Sequence, residues 1–277
     1  MALNSVNTNV GAMIALQNLS VTNSELSTVQ NRINTGKIVS SAKDNGAIFA
    51  IAQGQRAEIG ALNAVKDSLN RGQSAVDVAL SAGESVSDLL TQLKEKALAA
   101  TDTSLTTSAR SALNEDFKAI RDQIATVVTN AKFNGVNLLD NSTGTNGYKA
   151  LANTTGSTIK AAGENLSLGG ANVTVTSTTT IGTSTLANTA LGLVNTSINN
   201  VSAALARLGT ASKAFGTHLT FVGKLQDTIE AGIGNMVDAD LAKESARLQA
   251  LQTKQQLGVQ ALSIANSSTS ILLGLFR

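Results

Sequence analysis

Apolar residues in this chain recur in steps that alternate between three and four. The longest unbroken run is Leu62, Val65, Leu69, Gly72, Val76, Ala79, Gly83, Val86, Leu90, Leu93 and Ala97. Such spacing keeps one stripe on one side of a helix and marks a coiled-coil seam. A helix of about 40 residues would be on the order of 60 Å long. Gly72 and Gly83 sit on that seam, where each costs roughly 1 kcal/mol of helix propensity. Close backbone approach by a partner helix is the expected reason. A second run is Leu113, Phe117, Ile120, Ile124, Val127 and Ala131. A third is Leu191, Val194, Ile198, Val201, Leu205, Leu208, Ser212, Phe215, Leu219 and Val222, continuing less strictly through Leu225, Ile229, Ile233 and Met236. Three amphipathic helices of this kind bury their stripes against each other or against another chain. The predicted intramolecular core is Leu62, Val65, Leu69, Val76, Val86, Leu90, Leu93, Phe117, Ile120, Leu205, Leu208, Phe215 and Leu219.

Both ends carry weaker seams. Near the start stand Leu16, Leu19, Leu26 and Ile33, with Val6, Val10 and Met13 slightly out of phase. Near the end stand Leu241, Leu248, Leu251, Leu262, Ala265, Leu272 and Phe276. Asp238 and Asp240 suit a helix N-terminus, where a carboxylate accepts orphan amides and meets the positive end of the dipole. A helix boundary near residue 238 is therefore expected. Between residues 132 and 190 the periodicity lapses. Asn134-Gly135 signals a turn. The stretch "NVTVTSTTTIGTST" is β-branched and alternating, and with it the Ser/Thr-rich segment as a whole reads as a small β-hairpin region inserted between helical halves. The fold class expected is mainly α: long antiparallel coiled-coil helices from both termini, with a small β-hairpin region in the middle.

Charge changes the reading of the ends. No Asp, Glu, Lys or Arg occurs before Glu25, and none lies between Lys254 and Arg277. The few apolar side chains of either segment do not offset the entropy of ordering it alone. Each end is thus expected to take shape against something else. An uncharged surface suits that role, because an unpaired charge is expensive to bury. The simplest partners are each other and further copies of the chain, and a head-to-tail contact that does not close builds an open helical filament. The self-assembly residues predicted are Leu16, Leu19, Leu26, Ile33, Leu241, Leu248, Leu251, Leu262, Leu272 and Phe276.

Composition narrows the chemistry. The chain has no Cys, no Pro and no Trp among 277 residues. Without Cys there are no disulfides and no thiolate metal sites. A net charge of +2, with no dense basic cluster, makes no case for nucleic acid. The first segment lacks the basic and apolar blocks of a signal peptide. The apolar run at the end is too short to cross a bilayer, so no membrane insertion is expected. The single histidine, His218, has no second His or Cys to join it as a ligand and is expected to be a packing or surface residue. "NTGKI" at 34–38 lacks the upstream glycine and the Ser/Thr of a phosphate-binding loop. "GIGNMV" at 232–237 lacks the third glycine of a dinucleotide fingerprint. No catalytic, cofactor or metal site is expected, and no enzyme. A soluble coiled-coil binding module is the competing class, and it would have helical termini as a monomer.

Two blocks carry a resemblance. "NRINTGKIVSSAKDNGAIFAIAQ", residues 31–53, resembles the bacterial flagellin N-terminal signature at Thr35, Gly36, Ser41, Ala42, Lys43, Asp44 and Asn45. "KFNGVNLL", residues 132–139, looks like the family's Phe-Asn-Gly turn. "NMVDADLAKESARLQALQTKQQLGVQALSIANSSTSILLGLFR" is similar to the family's C-terminal signature. The resemblance implies a subunit of the secreted, extracellular flagellar filament, with the hook–filament junction protein as the alternative. It implies residues 1–40 and 236–277 as an inner coiled-coil domain. Residues 41–140 and 191–235 would form a long-helix wall domain, and 141–190 a short variable β-hairpin surface region. Implied partners are other flagellin copies, the type III flagellar export apparatus, an export chaperone, and junction and cap proteins. There are departures. Ile38 and Ser40 stand where the family signature has an Arg and an Asn. Gln92 and Lys96 replace an Arg and a Leu of the family's innate-immune receptor site, which predicts weak or no activation of that receptor.

Overall fold

The computed structural model describes residues 8–274. The order is α1 (Val10–Thr35), α2 (Gly46–Ala100), α3 (Thr107–Asn130), β1 (Lys132–Phe133), β2 (Val136–Asn137), β3 (Tyr148–Leu151), β4 (Thr158–Ala161), α4 (Ser184–Val237) and α5 (Leu241–Gly274). The helix carrying the longest apolar run has 55 residues, about 80 Å at the usual rise. The chain divides into two compact units, residues 58–227 and a terminal unit formed by residues up to 57 with those from 228 onward.

The unit of residues 58–227 is built on three helical stripes. Val65, Val76, Leu90 and Leu93 of α2, Phe117 and Ile124 of α3, and Val194, Val201, Leu208 and Phe215 of α4 are each at most 1% exposed. Thr106 caps α3 by accepting from the Ala109 amide. The seam glycines are met by side chains rather than by a partner backbone. A Cβ at Gly83 would lie 2.6 Å from Leu205 Cδ2, and one at Gly72 would lie 3.1–3.3 Å from Phe215, Tyr148 and Ala150.

Residues 132–137 form a two-residue turn, with Asn134 and Gly135 at φ 48° and 80° between the paired β1 and β2. The second hairpin falls within residues 141–190, where a hairpin region is expected, but outside the β-branched run. It is β3–β4, with Tyr148 opposite Ala161 and Leu151 opposite Thr158. "NVTVTSTTTIGTST" is almost entirely irregular, and α4 begins at its end with Ser184. Its alternation has another cause. Val173, Val175 and Ile181 are buried, while two amides among them donate to side chains and the Val175 carbonyl accepts from the Gly169 amide, with no second strand alongside. The Thr174 amide donates to Ser197 Oγ at 2.9 Å, and the Ile181 amide to Asn114 Oδ1 at 2.8 Å.

In the terminal unit, α4 stops at Val237 and α5 starts at Leu241. Asp240 caps the new helix by accepting from the amides of Ala242 and Lys243. The connections before α2 and after α4 are zipped together. Ile38 N donates to Val237 O at 2.7 Å, and Ala239 N to Gly36 O at 2.9 Å. Gly36, at φ 68°, makes the left-handed exit from α1 that this pairing needs.

Candidate self-assembly surface

Within the terminal unit α1 and α5 run antiparallel along their seams. Asn9 Nδ2 donates to Ala265 O (2.8 Å), Gln255 Nε2 to Asn23 Oδ1 (2.7 Å), and Arg32 Nη1 to Glu244 Oε1 (3.2 Å). Between the first two pairs, a Cβ on Gly258 would approach Leu19 Cδ1 at 3.3 Å, so the helices are close there. Leu19, Leu26, Ile33, Leu248 and Leu262 are half-buried, and Leu251 is buried. Arg32 and Glu244 form an ion pair at the zipped end of the seam, with Glu244 the more deeply buried partner.

The same two helices leave a second set of apolar side chains in solvent. On α1 these are Val10, Met13, Ile14, Leu16 and Val21. On α5 they are Leu241, Leu257, Val259 and Ile264, the last 70% exposed. Val10, Ile14 and Val21 follow steps of four and seven and so share a face of α1. Leu257 and Ile264, seven apart, do the same on α5. An open groove lined by Met13, Leu16, Val259 and Leu262, with Asn9 and Asn266 at its polar edge, joins the two helices. Sequence reasoning put Leu16 and Leu241 on the seams, and both are half or more exposed. The side chain of Leu272 and all of Phe276 lie outside the described residues, as does Val6.

Of the predicted core positions, Leu62, Val65, Leu69, Val76, Val86, Leu90, Leu93, Phe117, Leu208 and Phe215 are buried. Ile120, Leu205 and Leu219 are half-buried. Periodicity gave no hint of the polar side chains that join this core. Arg110 is buried and donates to the carbonyls of Ala100 (3.2 Å) and Asp102 (2.7 Å), closing the C-terminus of α2. Arg121 Nη1 donates to Thr179 O at 2.9 Å. Arg207 grips the buried Glu164 with two bonds of 2.6 Å, and Asn172 donates to the same carboxylate at 3.1 Å. Hydrogen bonding to Glu164 raises the Arg207 pKa further above its ordinary value. His218 Nε2 lies 2.6 Å from Ala152 O, and its ring is 5.7 Å from that of Phe221, so it packs the hairpin loop.

Two exposed carboxylates are tuned by local turns. Asp44 Oδ2 accepts from the amides and hydroxyls of both Ser40 and Ser41. Those bonds, the Ser41 amide foremost, hold its pKa below the ordinary 3.8. Asp102 is lowered likewise by the amide and hydroxyl of Ser104, with a smaller contribution from Arg110. Among the described residues no group of three acidic, His or Cys side chains converges on a metal position. No described helix is long and apolar enough to cross a membrane.

Two family models match the chain. Residues 6–144 match the bacterial flagellin N-terminal helical region, and residues 191–276 the bacterial flagellin C-terminal helical region. The Caulobacter vibrioides flagellin FljK is 60% identical over 277 residues, covering all of both chains. A Brucella melitensis flagellin is 37% identical over 281 residues, covering 99% of each. A crystal structure of Bacillus cereus flagellin aligns with a TM-score of 0.48 and 18% identity, over 56% of this chain and 88% of that one.

Proposed function

The chain belongs to the bacterial flagellins, the structural subunits of the flagellar filament, and from that premise we propose how its parts divide the work. Residues 1–40 and 236–277 form the inner coiled-coil domain that joins copies to one another. Residues 41–140 and 191–235 form the long-helix wall, and 141–190 the short surface region. Of the predicted assembly residues, Leu19, Leu26, Ile33, Leu248, Leu251 and Leu262 serve the α1–α5 seam, and the exposed Leu16 and Leu241 serve contacts with neighbouring copies. Leu272 and Phe276 are assigned the same role from sequence alone. The chain polymerises with its own kind, and torque passes through packing interfaces without catalysis. Likeness to flagellins over the full length of both chains favours the filament subunit over the hook–filament junction protein.

One observation carries this reading. The terminal helices pair with each other and still expose Val10, Met13, Ile14, Leu16, Leu257 and Ile264 in segments without charge, between Thr8 and Ser24 and between Lys254 and Arg277. Contiguous exposed apolar area marks an interaction site, and an unclosed head-to-tail contact between copies yields a filament. Export through the flagellar type III apparatus, with a chaperone on the way and cap and junction proteins at the ends, completes the proposal. The absence of disulfides is compatible with passage unfolded.

Electron microscopy after addition of a polymerising salt tests it. The full chain is expected to form long tubes. A version lacking residues 1–40 and 236–277 is expected to stay soluble, and tubes from that version would refute the assignment.

A further inference from the structure

The sequence contains three Asn-Gly pairs, at 45–46, 134–135 and 146–147. Glycine leaves its amide nitrogen unshielded, so it attacks the preceding carboxamide more readily than any other residue does. The three pairs are chemically alike and structurally different. We propose that Asn134 is a self-modifying site, converting spontaneously to aspartate and isoaspartate, while the fold protects Asn45 and Asn146. This is independent of the filament reading.

The chemistry needs only water. The Gly135 nitrogen loses its proton and attacks Asn134 Cγ. A C–N bond forms, the Cγ–Nδ2 bond breaks, and Nδ2 leaves as ammonia carrying a proton. The five-membered imide then adds water at one of its two carbonyls. Opening at one restores a normal backbone with an aspartate side chain. Opening at the other leaves the main chain running through Cγ, one atom longer. No electrons are transferred, and the sum is amide plus water to acid plus ammonia.

Ring closure requires a free carboxamide and a backbone able to rotate. Asn45 has neither. Its Oδ1 accepts from the Ala47 and Ile48 amides at 3.1 Å each, and its carbonyl accepts from Phe49 N at 3.0 Å, which pins it at the start of α2. Bringing Cγ onto the Gly46 nitrogen means giving up that cap. Asn146 is exposed, but the backbone after it has no room. A Cβ built on Gly147 would overlap the Ala161 carbonyl oxygen, and the next residue enters a ladder of four pairs. Asn134 differs on each count. It and Gly135 are exposed, and space around Gly135 is open to 4 Å. Its carboxamide makes no hydrogen bond among the described residues. The flanking ladder is two pairs long, Lys132 with Asn137 and Phe133 with Val136. So short a hairpin opens locally without disturbing the helices.

The test runs within one wild-type chain. The full-length protein is incubated at mildly alkaline pH, digested, and sequenced by fragment ions that place each amide-to-acid conversion. Conversion at Asn134 is expected to outpace Asn45 and Asn146 several-fold in buffer. In concentrated urea the three rates are expected to converge, because the fold and not the dipeptide sets the order. Acidifying the buffer should slow Asn134, since its nucleophile must lose a proton. Equal rates at the three sites in buffer, or faster conversion at Asn45 or Asn146, would overturn the proposal. So would the same ranking persisting in urea. Asn134→Gln, checked for an unchanged circular dichroism melt, should remove the dominant signal.

Discussion

Residues 58–227 and the terminal unit use the same helical periodicity to opposite ends. In residues 58–227 the stripes of three helices meet, and of the large apolar side chains only Leu98, Leu186 and Phe221 are exposed. Irregular segments there are tied down by polar groups, most of them buried: Arg110 on the end of α2, Asn114 and Arg121 on residues 179–181, and the buried Glu164 held by the exposed Arg207. The terminal unit pairs two helices, and two helices have too little mutual surface to bury what they carry. Ile14, Leu16, Leu257 and Ile264 remain in water. The difference teaches that one unit spends its apolar surface on its own fold while the other leaves much of it in solvent, as the proposed assembly through the terminal helices requires.

Substitutions on the exposed face should separate these uses most sharply. Ile14→Ser combined with Ile264→Ser is expected to abolish seeded filament elongation, followed by light scattering. The same pair should change the unfolding free energy of the isolated chain by less than about 0.5 kcal/mol, as usual for surface sites. A large loss of monomer stability would mean these side chains serve the fold instead. Phe117→Ala probes the other unit. Phe117 is fully buried, and emptying such a site costs about 3–5 kcal/mol through lost transfer energy and the cavity left behind. Denaturant unfolding of the isolated chain should show that loss. A Phe117→Ala chain as stable as wild type would break the contrast.

Much of this was legible in the sequence, and what was not has a physical cause. Heptad steps located the helices and most of the buried core, because apolar periodicity depends on the helix alone. It missed Arg110, Asn114 and Arg121, since their burial depends on carbonyls and amides brought from elsewhere in the chain. The β-branched run at 172–185 imitates a strand for the same reason. Val173, Val175 and Ile181 are buried and residues 176–178 are exposed, but the amides of Thr174 and Ile181 donate to side chains of α4 and α3. On the terminal helices periodicity alone did not separate the seam from the exposed face, because both are apolar and neither is charged. Leu16, read as a seam residue, is 57% exposed.

A pair of glycines sharpens the contrast at smaller scale. Gly83→Ala introduces a methyl 2.6 Å from Leu205 Cδ2, the far end of a half-buried side chain that has to shift beside the buried Leu166, itself 3.7 Å from the methyl. The strain, partly offset by better helix propensity, should leave a net loss of about 1 kcal/mol in monomer unfolding. Gly258→Ala sits 3.3 Å from Leu19 Cδ1, on a seam with open solvent beside it. Leu19 has somewhere to go, so monomer stability should be unchanged or slightly higher. Equal losses at both positions would show the terminal seam to be as tightly packed as the core.

The smallest effect concerns two exposed carboxylates. Asp44 and Asp102 both have folded pKa values below the ordinary 3.8, one in each unit. A depressed folded value means that the unfolded chain binds the proton more readily. The associated stability is therefore fully present above the unfolded value of 3.8 and fades as pH falls through the lowered folded one. Carbon-detected NMR titration reads each carboxylate separately. Asp102, held by Ser104 in the turn between α2 and α3, should titrate below 3.8 in the isolated chain. Asp44, held by Ser40 and Ser41 in the turn before α2, should do the same. Ser40→Ala should raise the Asp44 midpoint more than Ser41→Ala, because the Ser40 hydroxyl stabilises the carboxylate more than the Ser41 hydroxyl does. An Asp44 midpoint at 3.8 in the isolated chain, beside a lowered Asp102, would show that the Ser40–Asp44 turn is not organised without neighbours, and the contrast between the two units would then extend to their turns as well as to their apolar faces.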